Sequence, residues 1–146
     1  GTAPDFAEMW PRHCVAGTGG AANPPALDAA LDHVGAVRVY KGQRAPAYSG
    51  FEGHQHEDGS GASLAELLDS ADVDEVVIGG LALDFCVRAT TLDAVRWSAP
   101  GQSVVVRLDL TEAVAPAAAA AVVAELSDAG ARLEGELRVG STRTGR

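Results

Sequence analysis

The apolar positions of this chain follow two periods. Val76-Val77-Ile78 is a β-branched run closed by Gly79-Gly80, and it predicts a buried strand over Val73–Gly79. Ser103–Leu110, reading SVVVRLDL, predicts a second strand, with Val104, Val106, Leu108 and Leu110 alternating against Val105 and Arg107. Helical spacing takes over elsewhere. Residues 84–97 place Val87, Thr91, Ala94 and Val95 on one stripe behind Asp84 as N-cap, with Arg88 and Arg96 on the solvated side. Pro116 opens an alanine-rich helix to about Asp128, with Ala119, Val122, Val123 and Leu126 as its inner stripe and Gly130 as its stop. Ser63 caps a helix to Ser70 that turns Leu64, Leu67 and Leu68 inward. Weaker patterns predict a short helix over Leu27–His33, a strand over Ala36–Lys41 with Val37 and Val39 on one face, and an edge strand within Ala131–Leu137. Residues 1–26 and 42–61 read as loop. Strands alternating with helices form βαβ units, so the expected fold is α/β, three layers around a doubly wound, mainly parallel sheet.

Composition narrows the function classes. A chain of 146 residues with 47% apolar content is the size of one globular domain. Its net charge of −9 excludes a nucleic-acid backbone as partner, which needs a basic face. No run of about 18 apolar residues and no signal-peptide pattern occurs, so membrane insertion is not expected. Two cysteines far apart make no disulfide framework, and a reducing cytoplasm is the expected compartment. One domain over residues 1–139 is expected, with 140–146 a disordered basic tail.

The candidate chemistry gathers where the first strong strand ends. Cys86 follows the glycines at the start of a helical pattern, where unpaired N–H groups and the macrodipole favour thiolate. Such placement brings a cysteine from about 8.5 to roughly 3.5–7.5. The same spacing also fits a buried structural cysteine. Lys41, at the end of a predicted strand, reads by itself as a solvated charge sooner than as a site residue, and His54 and His56 read as exposed loop histidines.

Gly80-Leu81-Ala82-Leu83-Asp84-Phe85-Cys86-Val87-Arg88-Ala89-Thr90 resembles the nucleophile motif of the nicotinamidase and pyrazinamidase branch of the isochorismatase-like cysteine hydrolases. Trp10-Pro11-Arg12-His13-Cys14-Val15-Ala16-Gly17-Thr18 resembles the metal and pocket motif of that family, and Val39-Tyr40-Lys41-Gly42 its catalytic-lysine strand. The similarity runs from Gly1 to about Leu133. It implies Cys86 as nucleophile, Lys41 as the ammonium beside the thiolate, and a cis Leu81-Ala82 peptide that presents the N–H groups of Ala82 and Cys86 as an oxyanion hole. It also implies Trp10, Tyr48 and Leu81 as substrate-pocket walls and His13 as a metal ligand, for Zn, Fe or Mn in the complete enzyme. The implied reaction is hydrolysis of nicotinamide and pyrazinamide-like amides, a step of NAD salvage, with a small-molecule amide as partner and a homo-oligomer left open.

The departures are as specific. The family's first strand, with its catalytic aspartate, and an Asp-x-His segment with further metal ligands would precede Gly1, so the sequence reads as a fragment lacking the first strand. Such a fragment is expected to be inactive alone and to hold no stoichiometric metal. Asp109 and Asp84 are the carboxylates that could substitute as base. Two rival functions are another isochorismatase-like hydrolase, against which the Trp-Pro-x-His-Cys-Val motif speaks, and a non-catalytic remnant.

Overall fold

The computed structural model describes residues 10–43 and 45–137. The basic tail expected at 140–146 lies outside the described residues. The chain forms two compact units, Gly1–Arg38 and Val39–Arg146.

In the first unit, residues 10–24 are turns and irregular chain, and helix α1 runs Pro25–His33. Pro25 at its first turn needs no N–H partner, and Asp28 sits where the helix dipole favours a carboxylate. Gly35, at φ +64, ends it: the Gly35 N–H donates to Asp32 and the Ala36 N–H to Leu31, a left-handed stop that suits glycine. Arg38 then reaches back to Asp28 at 3.0 Å and Asp32 at 2.8 Å, two carboxylates one turn apart. The strand expected over Ala36–Lys41 does not form. Tyr40 alone makes an antiparallel bridge, exchanging both backbone bonds with His54, and one rung without a ladder is not a strand.

The second unit holds a parallel sheet in the order β1-β2-β3, with β1 at Glu75–Leu81, β2 at Ser103–Glu112 and β3 at Arg132–Glu134. Helix α2, Leu64–Ala71, precedes β1, and its Ser63–Glu66 capping box satisfies the helix start reciprocally. Helix α3, Arg88–Trp97, joins β1 to β2, and helix α4, Ala119–Asp128, joins β2 to β3 after a short 3₁₀ turn at Pro116–Ala118. Parallel neighbours in sequence order with right-handed crossovers put both connecting helices on one face. The core lies between them and the sheet, where Ile78, Val104, Val106 and Leu108 meet Leu83, Val87, Ala94, Val122 and Leu126. The stripes predicted for α3 and α4 are the faces that pack.

Two expectations about the strands fail, each for its own reason. Val77 is 56% exposed although Ile78 is buried, and Leu110 is 58% exposed although Leu108 is buried. The register explains Leu110: between the pairs Ile78/Val106 and Gly80/Thr111, β1 advances two residues and β2 five. An odd excess on one strand exchanges its two faces, so Thr111 turns inward and Leu110 outward. Val77 lies on the face opposite the helices. That face carries polar pairs instead: Arg132 bridges Glu75 and Glu134, Ser103 donates to Glu75, and Arg107 pairs with Asp109. Val105, in register with both Val77 and Arg132, is nevertheless only 1% exposed.

Arg88 does not join a solvated face either. Its guanidinium forks onto Glu125 of α4, with Nε 2.6 Å from Oε2, and clamps α3 to α4. The pairing raises Arg88 and holds the Glu125 carboxyl below its ordinary value of 4.5.

Leu126 is fully buried, so Leu126→Ala should lower the unfolding free energy by about 2–5 kcal/mol. Leu110→Ala should change it by less than about 0.5 kcal/mol. Denaturant titrations followed by circular dichroism compare the two. The Glu125 carboxyl is depressed on folding, so its contribution is complete above pH 4.5 and is lost as the pH falls through the folded value. Melting temperatures recorded across acid pH should therefore fall less steeply for Glu125→Gln than for the unsubstituted protein.

Candidate active site

The carboxyl end of β1 is shaped by backbone before any side chain. Gly80 sits at φ +113, a conformation that residues with a Cβ rarely adopt, and the Leu81-Ala82 peptide that follows is cis. The chain then winds into a π turn, Leu83–Val87, in which the Ala82 carbonyl accepts from the Val87 N–H at 3.0 Å. Cys86 is carried on this wide turn, half-buried, two residues before α3 begins. The N-cap position belongs to Ala82 and not to Asp84. The Asp84 carboxylate turns away to the end of β2, where Oδ1 accepts from the Val114 N–H at 3.0 Å and Oδ2 from the Ala115 N–H at 2.9 Å.

Lys41 arrives at the thiol from a chain segment 45 residues away. Its Nζ donates to the Ala47 carbonyl at 3.0 Å and lies 3.6 Å from Cys86 Sγ. What aims it is the return of loop 42–49: Gly42, at φ +73, turns the chain back so that Ala47 anchors the ammonium. Behind it the Tyr40–His54 bridge fixes the approach, and Gly53 lies where a Cβ would come 2.6 Å from Val39 Cγ1 and 3.1 Å from the Tyr40 carbonyl oxygen.

The same loop presents Tyr48. Ser49-Gly50-Phe51-Glu52 is a capping box on a 3₁₀ turn, in which Glu52 Oε2 accepts from the N–H groups of Ser49 and Tyr48. The Gly50 N–H donates to Thr90 Oγ1 at 2.8 Å, tying the loop to α3, and the Tyr48 ring leans on Phe85 with centroids 5.6 Å apart. Sequence reasoning missed Ser49, Glu52 and Thr90 as supports, although the S-x-x-E signature was readable. Leu81, Ala82, Cys86, Lys41 and Tyr48 thus meet around one end of β1. A groove of about 210 Å³ opens beside them, lined by Lys41, Ala47, Glu52 and His54 but not by Cys86.

Trp10 and His13 belong to the first unit, where their rings lie 5.8 Å apart. His13 Nδ1 is 2.6 Å from the Pro11 carbonyl oxygen, which can only accept, so Nδ1 is the donor, and in the neutral tautomer that fits this contact Nε2 carries the lone pair. That nitrogen suits a metal. Among the described residues, no group of three or more His, Cys, Asp or Glu side chains converges, so these residues do not furnish a complete coordination set. Neither carboxylate considered as base is available in the expected way: Asp84 is held by two amides and Asp109 by the Arg107 guanidinium.

Known proteins resemble this arrangement. The isochorismatase domain matches residues 2–135. The nicotinamidase/pyrazinamidase of Mycobacterium tuberculosis is 42% identical over 131 residues, covering 89% of this chain and 65% of that protein. The crystal structure of PnC1 from L. infantum in complex with nicotinate superposes with a TM-score of 0.69 at 40% identity, covering 86% of this chain and 60% of that one. The pyrazinamidase of Pyrococcus horikoshii in complex with zinc superposes with a TM-score of 0.64 at 32% identity, covering 87% and 63%. The chain therefore spans 60–65% of the length of these relatives, less than two-thirds. With the domain match running over nearly its whole length and the parallel sheet shared with these structures, the chain belongs to the isochorismatase family.

Proposed function

We propose that the whole protein, as distinct from residues 1–146 alone, hydrolyses nicotinamide, and pyrazinamide-like amides, to the acid and ammonia. The observation that carries the reading is the ammonium of Lys41 3.6 Å from Cys86 Sγ at the end of β1. It is supported by relatives named nicotinamidase and pyrazinamidase and by a neighbour solved with nicotinate. Cys86 sulfur attacks the carboxamide carbon, the C–N bond breaks, and the thiol proton leaves with the nitrogen as ammonia. Water then adds to the thioester, the C–S bond breaks, and acid and thiol are regenerated. Lys41 stabilises negative charge on sulfur and on the tetrahedral intermediate, while the Ala82 and Cys86 N–H groups receive the oxyanion. The resemblance assigns the proton shuttle to an aspartate of the family's first strand.

Tyr48 and Leu81 would wall the pocket, Trp10 would serve substrate binding as the resemblance implies, and residues 1–139 would act as one hydrolase domain, in keeping with the domain match over 2–135. His13 Nε2 would ligate a divalent metal, Zn, Fe or Mn, and a zinc-bound relative supports such an ion. When bound, it would polarise the ring end of the substrate or a water. No helix of the described residues is long and apolar enough to cross a membrane. A nucleophilic thiol suits the reducing cytoplasm.

Exposure and function make opposite predictions for the cysteines, since Cys14 is exposed and Cys86 half-buried. Iodoacetamide at pH 6–7 should label Cys86 well before Cys14, as read by mass spectrometry, and equal or reversed labelling contradicts a nucleophilic Cys86. Lys41→Ala in the full-length protein should lower kcat/KM for ammonia release from nicotinamide by about a hundredfold or more. A variant within a few fold of the original would show Lys41 to be a bystander.

A further inference from the structure

We infer that Asp84 is the positioning residue of the nucleophile, holding the turn that carries Cys86 to the end of β2 through the paired N–H groups of Val114 and Ala115. The inference rests on the reading of Cys86 as nucleophile. It starts from the turn itself. A π turn leaves wider backbone bonds than an α-helix and is seldom stable without outside support. Leu83–Val87 has its own bonds at the Ala82 carbonyl, and Leu83 and Val87 are buried on the core side. On the other side the turn is fixed by Asp84, two residues before the thiol.

The partners are equally constrained. Val114 and Ala115 follow β2 and precede Pro116, which has no N–H, so they are the last two donors before the 3₁₀ turn begins. Among the described residues the Asp84 carboxylate is the acceptor given for both N–H groups, and at this exposed site they would otherwise turn to water. Asp84 gives one oxygen to each, at 3.0 and 2.9 Å, a two-point clasp that fixes orientation as well as distance. The register slip after Ile78/Val106 makes the clasp necessary. Beyond it, β2 pairs with β1 only at Gly80/Thr111 and Leu81/Glu112, so the two chain ends would otherwise separate at the point where the π turn departs. A carboxylate accepting two amides is a structural anchor, in contrast to a general base, whose oxygen must be open to the thiol proton. A displacement of about 1 Å at a reacting atom costs on the order of a hundredfold in rate, which sets the scale of the expected loss.

The test compares Asp84→Ala, Asp84→Asn and Ser63→Ala, the last a loss of a helix cap that leaves the Asp84 clasp and the Ser63 backbone pairing with His54 in place and so controls for destabilisation. Two quantities are read well below the melting temperature: the rate of Cys86 alkylation by iodoacetamide at a fixed pH, and kcat and KM for ammonia release from nicotinamide. Asp84→Ala should slow alkylation and lower kcat about tenfold to a hundredfold, with KM within about threefold. Asp84→Asn, which keeps one acceptor oxygen, should fall between it and the unsubstituted protein, and it serves alone if the alanine variant does not fold. Ser63→Ala should match the unsubstituted protein in both. Alkylation by the Asp84 variants at the original rate overturns the inference, as does an equal loss in Ser63→Ala. A protein that releases no ammonia from nicotinamide overturns the proposed substrate instead, and alkylation alone then decides the role of Asp84.

Discussion

The pairing of β1 with β2 holds in register only as far as Ile78 and Val106, and what happens next determines the rest of the second unit. Up to that rung, alternation sends Ile78, Val104 and Val106 toward α3 and α4. Past it, three extra residues on β2 reverse the faces, bury Thr111, and carry the chain out to Val114 and Ala115. On β1 the matching departure is Gly80 and the cis peptide, which lift the chain off the sheet into the turn bearing Cys86. A regular ladder would have kept both ends flat. The irregularity opens a space at the carboxyl edge of the sheet, where open α/β folds collect their chemistry.

What the sequence made legible was what local physics decides. The Ser63 cap and the stripes of α3 and α4 each depend on residues within one or two turns, and each is found where the pattern put it, while Pro116 opens a 3₁₀ turn that leads into α4. Contacts across long separations were not legible from pattern alone. Nothing in the spacing of Lys41 and Cys86 brings them to 3.6 Å; the family resemblance suggested their meeting, and loop 42–49 accomplishes it. Arg88 and Asp84 show the limit from the other side. Both looked like ordinary helix residues, one solvated and one capping, because their partners Glu125, Val114 and Ala115 lie 30 or more residues downstream. Leu110 misled because alternation assumes an unbroken register.

Charge is distributed by the same logic. The sheet face opposite α3 and α4 is laced by Glu75, Arg132, Glu134, Arg107 and Asp109, which bring acidic and basic groups together in a chain whose net charge is −9. Exposed pairs of this kind each contribute little stability. They do decide which side of the sheet the helices settle on, since a helix packed over them would have to strip water from every one.

Gly53 carries a consequence that reaches beyond its own loop. A methyl group there would press on Val39 and on the Tyr40 carbonyl, the segment that delivers Lys41. The set of changes that would disturb the proposed site is thus larger than Cys86 and Lys41, and it includes a loop glycine with no chemistry of its own. Substitutions that disturb the proposed site would extend into its supporting loop rather than cluster at Cys86. A survey confined to Cys86 and its immediate neighbours would overlook them.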